Sequence, residues 1–171
     1  MTILRRIARL RVPIGFVSAV LVLWLAHPTA RSLAIGTIIA VVGEALRVWA
    51  AGHLEKGREV TVSGPYAFTR HPLYVGSTII GIGLAVGSAS GVAGVVIASY
   101  LAITLSAAVR TEEAHLTEKF GAAYPEYRAG RGANARREFS FARVMRNREY
   151  RAIAGLVIAV AVLAAKAARG L

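Results

Sequence analysis

Charge and apolarity are segregated along this chain, and that segregation limits what it can fold into. Five stretches, 12–26, 32–51, 72–89, 91–109 and 152–165, are apolar, and Glu44 and Arg47 are the only charges inside any of them. Arg residues crowd between the runs. A soluble amphipathic helix interleaves the two kinds of residue at helical spacing. Uncharged runs approaching ~20 residues are instead the pattern of helices that cross a bilayer. Hydrophobic residues make up 56% of the chain, above the share usual in soluble domains. The expected fold is all-α, a polytopic transmembrane helical bundle of about five spans, in a single domain over 1–171. The first run, 15 residues long, is short for a span and should recruit part of 3–10. The last, 14 residues long, reads either as a span or as an interfacial helix.

Basic residues fix an expected orientation. The N-terminus carries Arg5, Arg6, Arg9 and Arg11; the second loop carries Lys56, Arg58 and Arg70; and 110–151 carries nine Arg and one Lys. The two turns between these basic segments, 27–31 and 87–91, hold one Arg and none. Positive-inside topology then puts the N-terminus and every basic loop in the cytoplasm, with Lys166 and Arg169 as a mild exception at the outer end. The basic start followed by an apolar run resembles a signal peptide, but His27-Pro28 stands where small residues would be cleaved, so the run reads as a retained span.

This pattern also excludes several functions. A net charge of +12 with no Asp would suggest nucleic acid in a soluble protein. Here the Arg residues flank apolar runs, so topology and anionic headgroups account for them. Membrane lipids are therefore expected as partners and nucleic acid is not. With no Cys, disulfides, thiolate metal sites and a Cys nucleophile are excluded. His53 and His115 stand singly, without metal-ligand spacing, and no metal is expected.

Residues able to do chemistry gather at one end. In the stretch 60–76, Gly64-Pro65 is a turn signal. His71-Pro72 opens a helix, since Pro suits the first turn and pushes its predecessor out of helical geometry. Tyr66, Arg70, His71 and Tyr74 thus surround a helix N-terminus, which suits an anion; an interfacial anchor of Tyr and Arg is the competing reading. Gly76, Gly81, Gly83 and Gly87 point to close helix packing or to a groove where backbone meets a ligand. Glu112 and Glu113, just after the fourth run, either take a ligand amine or hydroxyl or pair with Arg110 and its neighbours. Because the third and fourth runs form a tight hairpin, His71 and Glu112 should be neighbours. Glu44 and Arg47, three apart inside the second run, suggest a structural pair lining a polar cleft. The stretch 130–137 is a candidate flexible link. Beyond it, Phe141, Val144 and Met145 share one helical face, with Arg143, Arg146 and Arg148 off it, as in a basic helix lying on a membrane.

Taken in order, Ser63-Gly64-Pro65-Tyr66, Arg70-His71-Pro72-Leu73-Tyr74-Val75-Gly76, Glu112-Glu113, Leu116, Phe120-Gly121, Tyr124 and Tyr127 resemble the isoprenylcysteine carboxyl methyltransferase and phospholipid methyltransferase superfamily. The resemblance covers a core of 43–128, leaving 129–171 as a basic segment and an extra apolar helix. It implies S-adenosylmethionine as cofactor, held on the cytoplasmic side, and methyl transfer to a lipophilic acceptor entering from the bilayer. By the same resemblance, Val60, Thr61, Tyr66, His71, Pro72, Leu73, Tyr74, Glu112 and Glu113 bind the cofactor. Arg70 and Arg110 are the catalytic candidates, as cations able to hold an anionic acceptor. Arg110 is offset from the family's pattern, so a phospholipid amine or a small thiol stands beside a carboxylate as acceptor. A non-catalytic membrane protein and a relative with other chemistry are the remaining alternatives.

Overall fold

The computed structural model describes residues 3–56, 58–121, 123–129 and 137–170. All regular structure among them is helical: α1 (Ile3–Leu25), α2 (Ala30–His53), α3 (Pro72–Ser88), α4 (Gly91–Phe120), α5 (Ala123–Arg128), α6 (Phe141–Arg146) and α7 (Tyr150–Arg169), with a short 3₁₀ turn at Gly64–Ala67. The five expected apolar runs are the five long helices. By length and composition α2, α4 and α7 can each cross a membrane, while Pro13–Leu25 and α3 are shorter apolar helices. The last run thus extends to a 20-residue helix, beyond its uncharged stretch at both ends, and an interfacial reading is no longer required.

The surface agrees with a lipid environment. Phe16, Trp24, Ile38, Val95 and Ile158 point outward, while Ala26, Ala40, Ala50, Ala51 and Ala93 are fully buried, with Leu163 the largest side chain among the fully buried described residues. Large outside and small inside is the arrangement expected where lipid is as apolar as leucine and helices associate by close backbone approach.

The seam between α2 and α3 shows this approach most clearly. A Cβ added at Gly43 would lie 2.7 Å from the Gly76 carbonyl oxygen, and one added at Gly76 would lie 2.7 Å from that of Gly43. Seven residues along each helix, a Cβ at Gly83 would sit 2.6 Å from the Gly36 oxygen. Both partners are backbone and cannot move aside. The glycines of the third run therefore pack helices, and no ligand groove is needed to explain Gly76 or Gly83.

Turns and caps hold the ends. Thr29 and Ser32 form a reciprocal capping box at the start of α2, each side chain accepting from the other's backbone N–H at 3.0 Å, an arrangement that satisfies two orphan donors. The His27 N–H reaches the Ser88 carbonyl at 2.8 Å, tying the two turns at that end together. Lys166 donates to the carbonyls of Leu23 and Trp24, both at 3.0 Å. It thereby serves the last turn of α1, where cations are favoured, which gives a local role to a charge that ran against the topology pattern. α1 packs chiefly on α4, and α6 and α7 pack on α2.

The 30 residues of α4 give a rod about 45 Å long, against ~30 Å of hydrocarbon. Its last turns, from Arg110 onward, therefore project past the apolar slab. They end at Gly121, whose φ of 53° suits glycine.

Candidate active site at the basic end

α4's projecting turns stand beside the N-terminus of α3, and here the hairpin brings the expected residues together. The Tyr74 hydroxyl donates to Glu112 Oε2 at 2.6 Å. Glu113 Oε1 lies 3.2 Å from His71 Nε2 and 3.5 Å from Arg70 Nη1. The rings of His71 and Tyr74 stack, 5.6 Å apart and 22° from parallel. Two adjacent carboxylates thus meet an imidazole, a phenol and a guanidinium at the mouth of a helix. Glu112 is exposed and Glu113 half-buried.

The tyrosines form the floor. The Tyr127 hydroxyl donates to the Tyr66 carbonyl at 2.7 Å, binding α5 to the 3₁₀ turn across 61 residues. Tyr124 is buried and its ring leans on that of Tyr127. Burial and the neighbouring Glu113 carboxylate push the Tyr124 phenol up to about 12. Burial, with Glu112 second, raises Tyr66 further. Burial also raises Tyr127, partly offset by Arg70. All three phenols therefore stay protonated at neutral pH and can donate hydrogen bonds.

Local sequence explains the positioning. Gly64 adopts φ +60°, and a Cβ there would lie 2.6 Å from the His53 ring, so glycine is needed both for the backbone angle and for the space. His71 precedes Pro72 in a non-helical conformation, and its carbonyl accepts the N–H groups of Tyr74 and Val75. Val75's bond is the first ordinary one of the helix, so Tyr74's is the first-turn amide that is used up, which leaves Leu73's.

The other expected residues fall into two groups. Thr61 is buried and accepts the Glu55 N–H at 3.2 Å, with half-buried Val60 beside it in the loop from α2. Pro72 is buried, and the Leu73 carbonyl faces away from the carboxylates toward α2, where Arg47 Nη1 meets it at 3.3 Å. Arg110 stands apart: it is exposed on α4, and among the described residues it has no ion pair or hydrogen bond. Arg70 is the cation that the fold brings to the carboxylates.

Sequence reasoning missed the principal partner of Arg47. Arg47 lies 3.8 Å from Glu44, as its i, i+3 spacing suggested, but its Nη2 meets Glu149 at 2.5 Å and its Nη1 meets the Ser77 hydroxyl at 2.5 Å. Glu149, just ahead of α7, is 5% exposed. It is the only acidic residue in 139–171, a signal that could have singled it out. The expected surface helix at 141–148 is α6. Phe141 and Met145 are exposed as anticipated, but Val144 is buried, Arg143 Nε donates to the Gly52 carbonyl at 2.6 Å, and Arg146 meets Glu55 at 2.7 Å. Its basic side thus faces the end of α2. The proposed link at 130–137 lies outside the described residues except for Arg137, which pairs with Glu59 at 2.5 Å.

Comparison with known proteins gives a consistent picture. A family model described as phospholipid methyltransferase matches residues 14–123. The cobalt-zinc-cadmium resistance protein CzcN of Cupriavidus metallidurans is 34% identical over 95 residues, 54% of this chain and 41% of that protein. The nickel-cobalt-cadmium resistance protein NccN of Alcaligenes xylosoxydans xylosoxydans is 32% identical over 88 residues, 50% of this chain and 40% of that protein. The chain therefore aligns with less than half the length of these curated relatives. No solved structure matches it.

Proposed function

We infer that this chain, which belongs to the phospholipid methyltransferase family, transfers a methyl group from S-adenosylmethionine to a lipophilic, membrane-borne acceptor at the cytoplasmic interface. The observation that carries the reading is the pairing of α3 with α4: Tyr74 on Glu112, and His71 with Arg70 on Glu113. When bound, the cofactor supplies a methyl group on a sulfonium sulfur, open to in-line displacement.

The residues present suit such a group. Glu112 is exposed and holds one hydrogen bond from Tyr74, so it has lone pairs left for an ammonium or a ribose hydroxyl. The stacked faces of His71 and Tyr74 are a surface on which a sulfonium can rest. Buried Tyr66 and Thr61 and half-buried Val60 lie in the stretch that joins α2 to α3, and Pro72 and Leu73 form the helix mouth. Arg70 faces outward beside Glu113 and is the better placed of the two cations to hold an anionic acceptor, and Arg110 is the alternative. Positioning of this kind accounts for catalysis without a covalent step on the protein. A phospholipid amine or a small thiol fits the same geometry as a carboxylate does. The two relatives are named for metal resistance. For this chain, a modified membrane component is the reading that the family supports.

S-adenosylhomocysteine should raise the melting temperature of the detergent-solubilised protein, by about 2.7 kcal/mol of stabilisation at a hundredfold excess over its dissociation constant. An unchanged melting curve at millimolar ligand would remove the methyltransferase reading. Orientation is tested separately on the cysteine-free background: Arg58→Cys and Gly91→Cys are both exposed and should label from opposite faces of the membrane.

A further inference from the structure

α7 lies beyond the segment that defines the family, and between it and α2 runs an apolar cavity of about 730 Å³. That size falls within the ~300–1,000 Å³ of small-molecule sites. Val41, Val48 and Trp49 wall it on one side, and Ile153, Leu156 and Val157 on the other. Glu44 is the one charged residue in the lining.

Glu44 is short of partners. It is 8% exposed, and neither of its carboxylate oxygens accepts a hydrogen bond among the described residues. Its cation, Arg47, approaches only to 3.8 Å and spends its guanidinium on Glu149, Ser77 and the Leu73 carbonyl. Two carboxylates therefore share one guanidinium, and Glu44 has the smaller share. It sits nine residues inside α2, about 13 Å from the end of that helix. A carboxylate so placed is costly unless a donor or a cation meets it.

The occupant that resolves this combines an apolar chain with a positive head. A fatty carboxylate would add a second negative charge beside Glu44. A fatty alcohol would supply one hydrogen bond and leave the charge unbalanced. We propose that the α2–α7 groove is a binding site for a single-chain amphiphile with a protonated amine head, its chain lying along α7 and its ammonium on Glu44. The site does not depend on methyl transfer, though Arg47 connects it to α3, the helix that carries Tyr74.

The chain supplies its own reporter. It has two tryptophans: Trp49 in the groove wall and Trp24, outward-facing on α1. With Trp24→Phe, quenching of Trp49 by bromine-labelled octadecylamine, octadecanol and octadecanoate in neutral detergent at pH 7 ranks the heads directly. The amine should quench at about a tenfold lower mole fraction than the carboxylate, the scale of a charge-assisted hydrogen bond. Glu44→Gln should bring amine and alcohol together, and Val157→Phe should weaken all three by filling the groove. Equal quenching by the three heads, or an amine preference that survives Glu44→Gln, would overturn the proposal. If Glu44→Gln does not fold, the ranking on the Trp24→Phe protein decides alone. Stabilisation by S-adenosylhomocysteine is read separately on the same sample, so loss of one result leaves the other standing.

Discussion

Two carboxylate clusters lie at the basic end of this molecule and do different work. Glu55 is met by Arg146 at 2.7 Å, Arg137 at 3.6 Å and Arg143 at 3.8 Å. Around it, Asn147 donates to the Ala51 and Leu54 carbonyls, closing the open end of α2. Glu112 is met by the Tyr74 phenol, and Glu113 by the His71 imidazole, the part-exposed Arg70 guanidinium and the Tyr124 phenol. The first cluster is crowded with donors from a single segment and fixes that segment in place. In the second, Glu112 is exposed and has acceptor capacity to spare. Charge at an interface therefore does not mark a site by itself; spare capacity on a charged group does.

The sharpest way to break that contrast is to attack the structural side. Arg47→Ala leaves Glu149 buried without its cation and should cost about 3–5 kcal/mol, read as a large fall in melting temperature. Adding Glu149→Ala should recover much of it. If Arg47→Ala melts like the parent, the buried pair is not a structural element. Glu55→Ala should come next, lowering stability by about 1–3 kcal/mol as the Arg donors lose their shared acceptor, while the affinity of the folded protein for S-adenosylhomocysteine stays unchanged. A loss of ligand binding at constant stability would make Glu55 part of the site.

On the functional side the pattern reverses. Glu112→Gln, at an exposed position, should change the unliganded melting point by no more than ~0.5 kcal/mol and abolish most of the shift caused by ligand. Arg70→Lys keeps the charge and loses the planar fork. It should reduce turnover of an anionic acceptor more than Arg110→Lys does, and equal effects would bring Arg110 back as the clamp. The smallest expected effect is alkaline. Tyr124 titrates near 12 in the folded state against ~10 for a free phenol. The unfolded chain thus loses that proton first, and stability falls as pH rises from 10 to 12. Tyr124→Phe should flatten that part of the curve.

Much of this was legible beforehand, for physical reasons. Apolar run length located five helices because lipid imposes one length scale on all of them. The hairpin and the Pro72 start placed His71 beside the acidic pair because the turn after α3 is short. What could not be read were ion pairs between distant segments. Nothing periodic connects Arg47 to Glu149 or Glu55 to Arg146, so α6 looked like a free surface helix and the Glu44–Arg47 spacing looked self-contained. The extent of α7 was ambiguous because its charged ends, Arg151 and Lys166, hid the full helix from a count of uncharged residues.

The pairing of Arg47 with Glu149 also has a consequence in time. The two residues lie 102 positions apart, and a ribosome adding ~5–20 residues per second takes roughly 5–20 s to make the second after the first. In the later part of that interval, once Ser88 has been made, α2 and α3 can close on their glycine seam. Arg47 is then confined to a helix interface where the Ser77 hydroxyl and the Leu73 carbonyl of α3 meet it and Glu44, at 3.8 Å, is its nearest carboxylate. The nascent protein thus passes through a stage in which Arg47 lacks its closest carboxylate, and the synthesis of Glu149 ends it. Truncation before Glu149 would arrest the chain at that stage, with its whole family-defining segment already made.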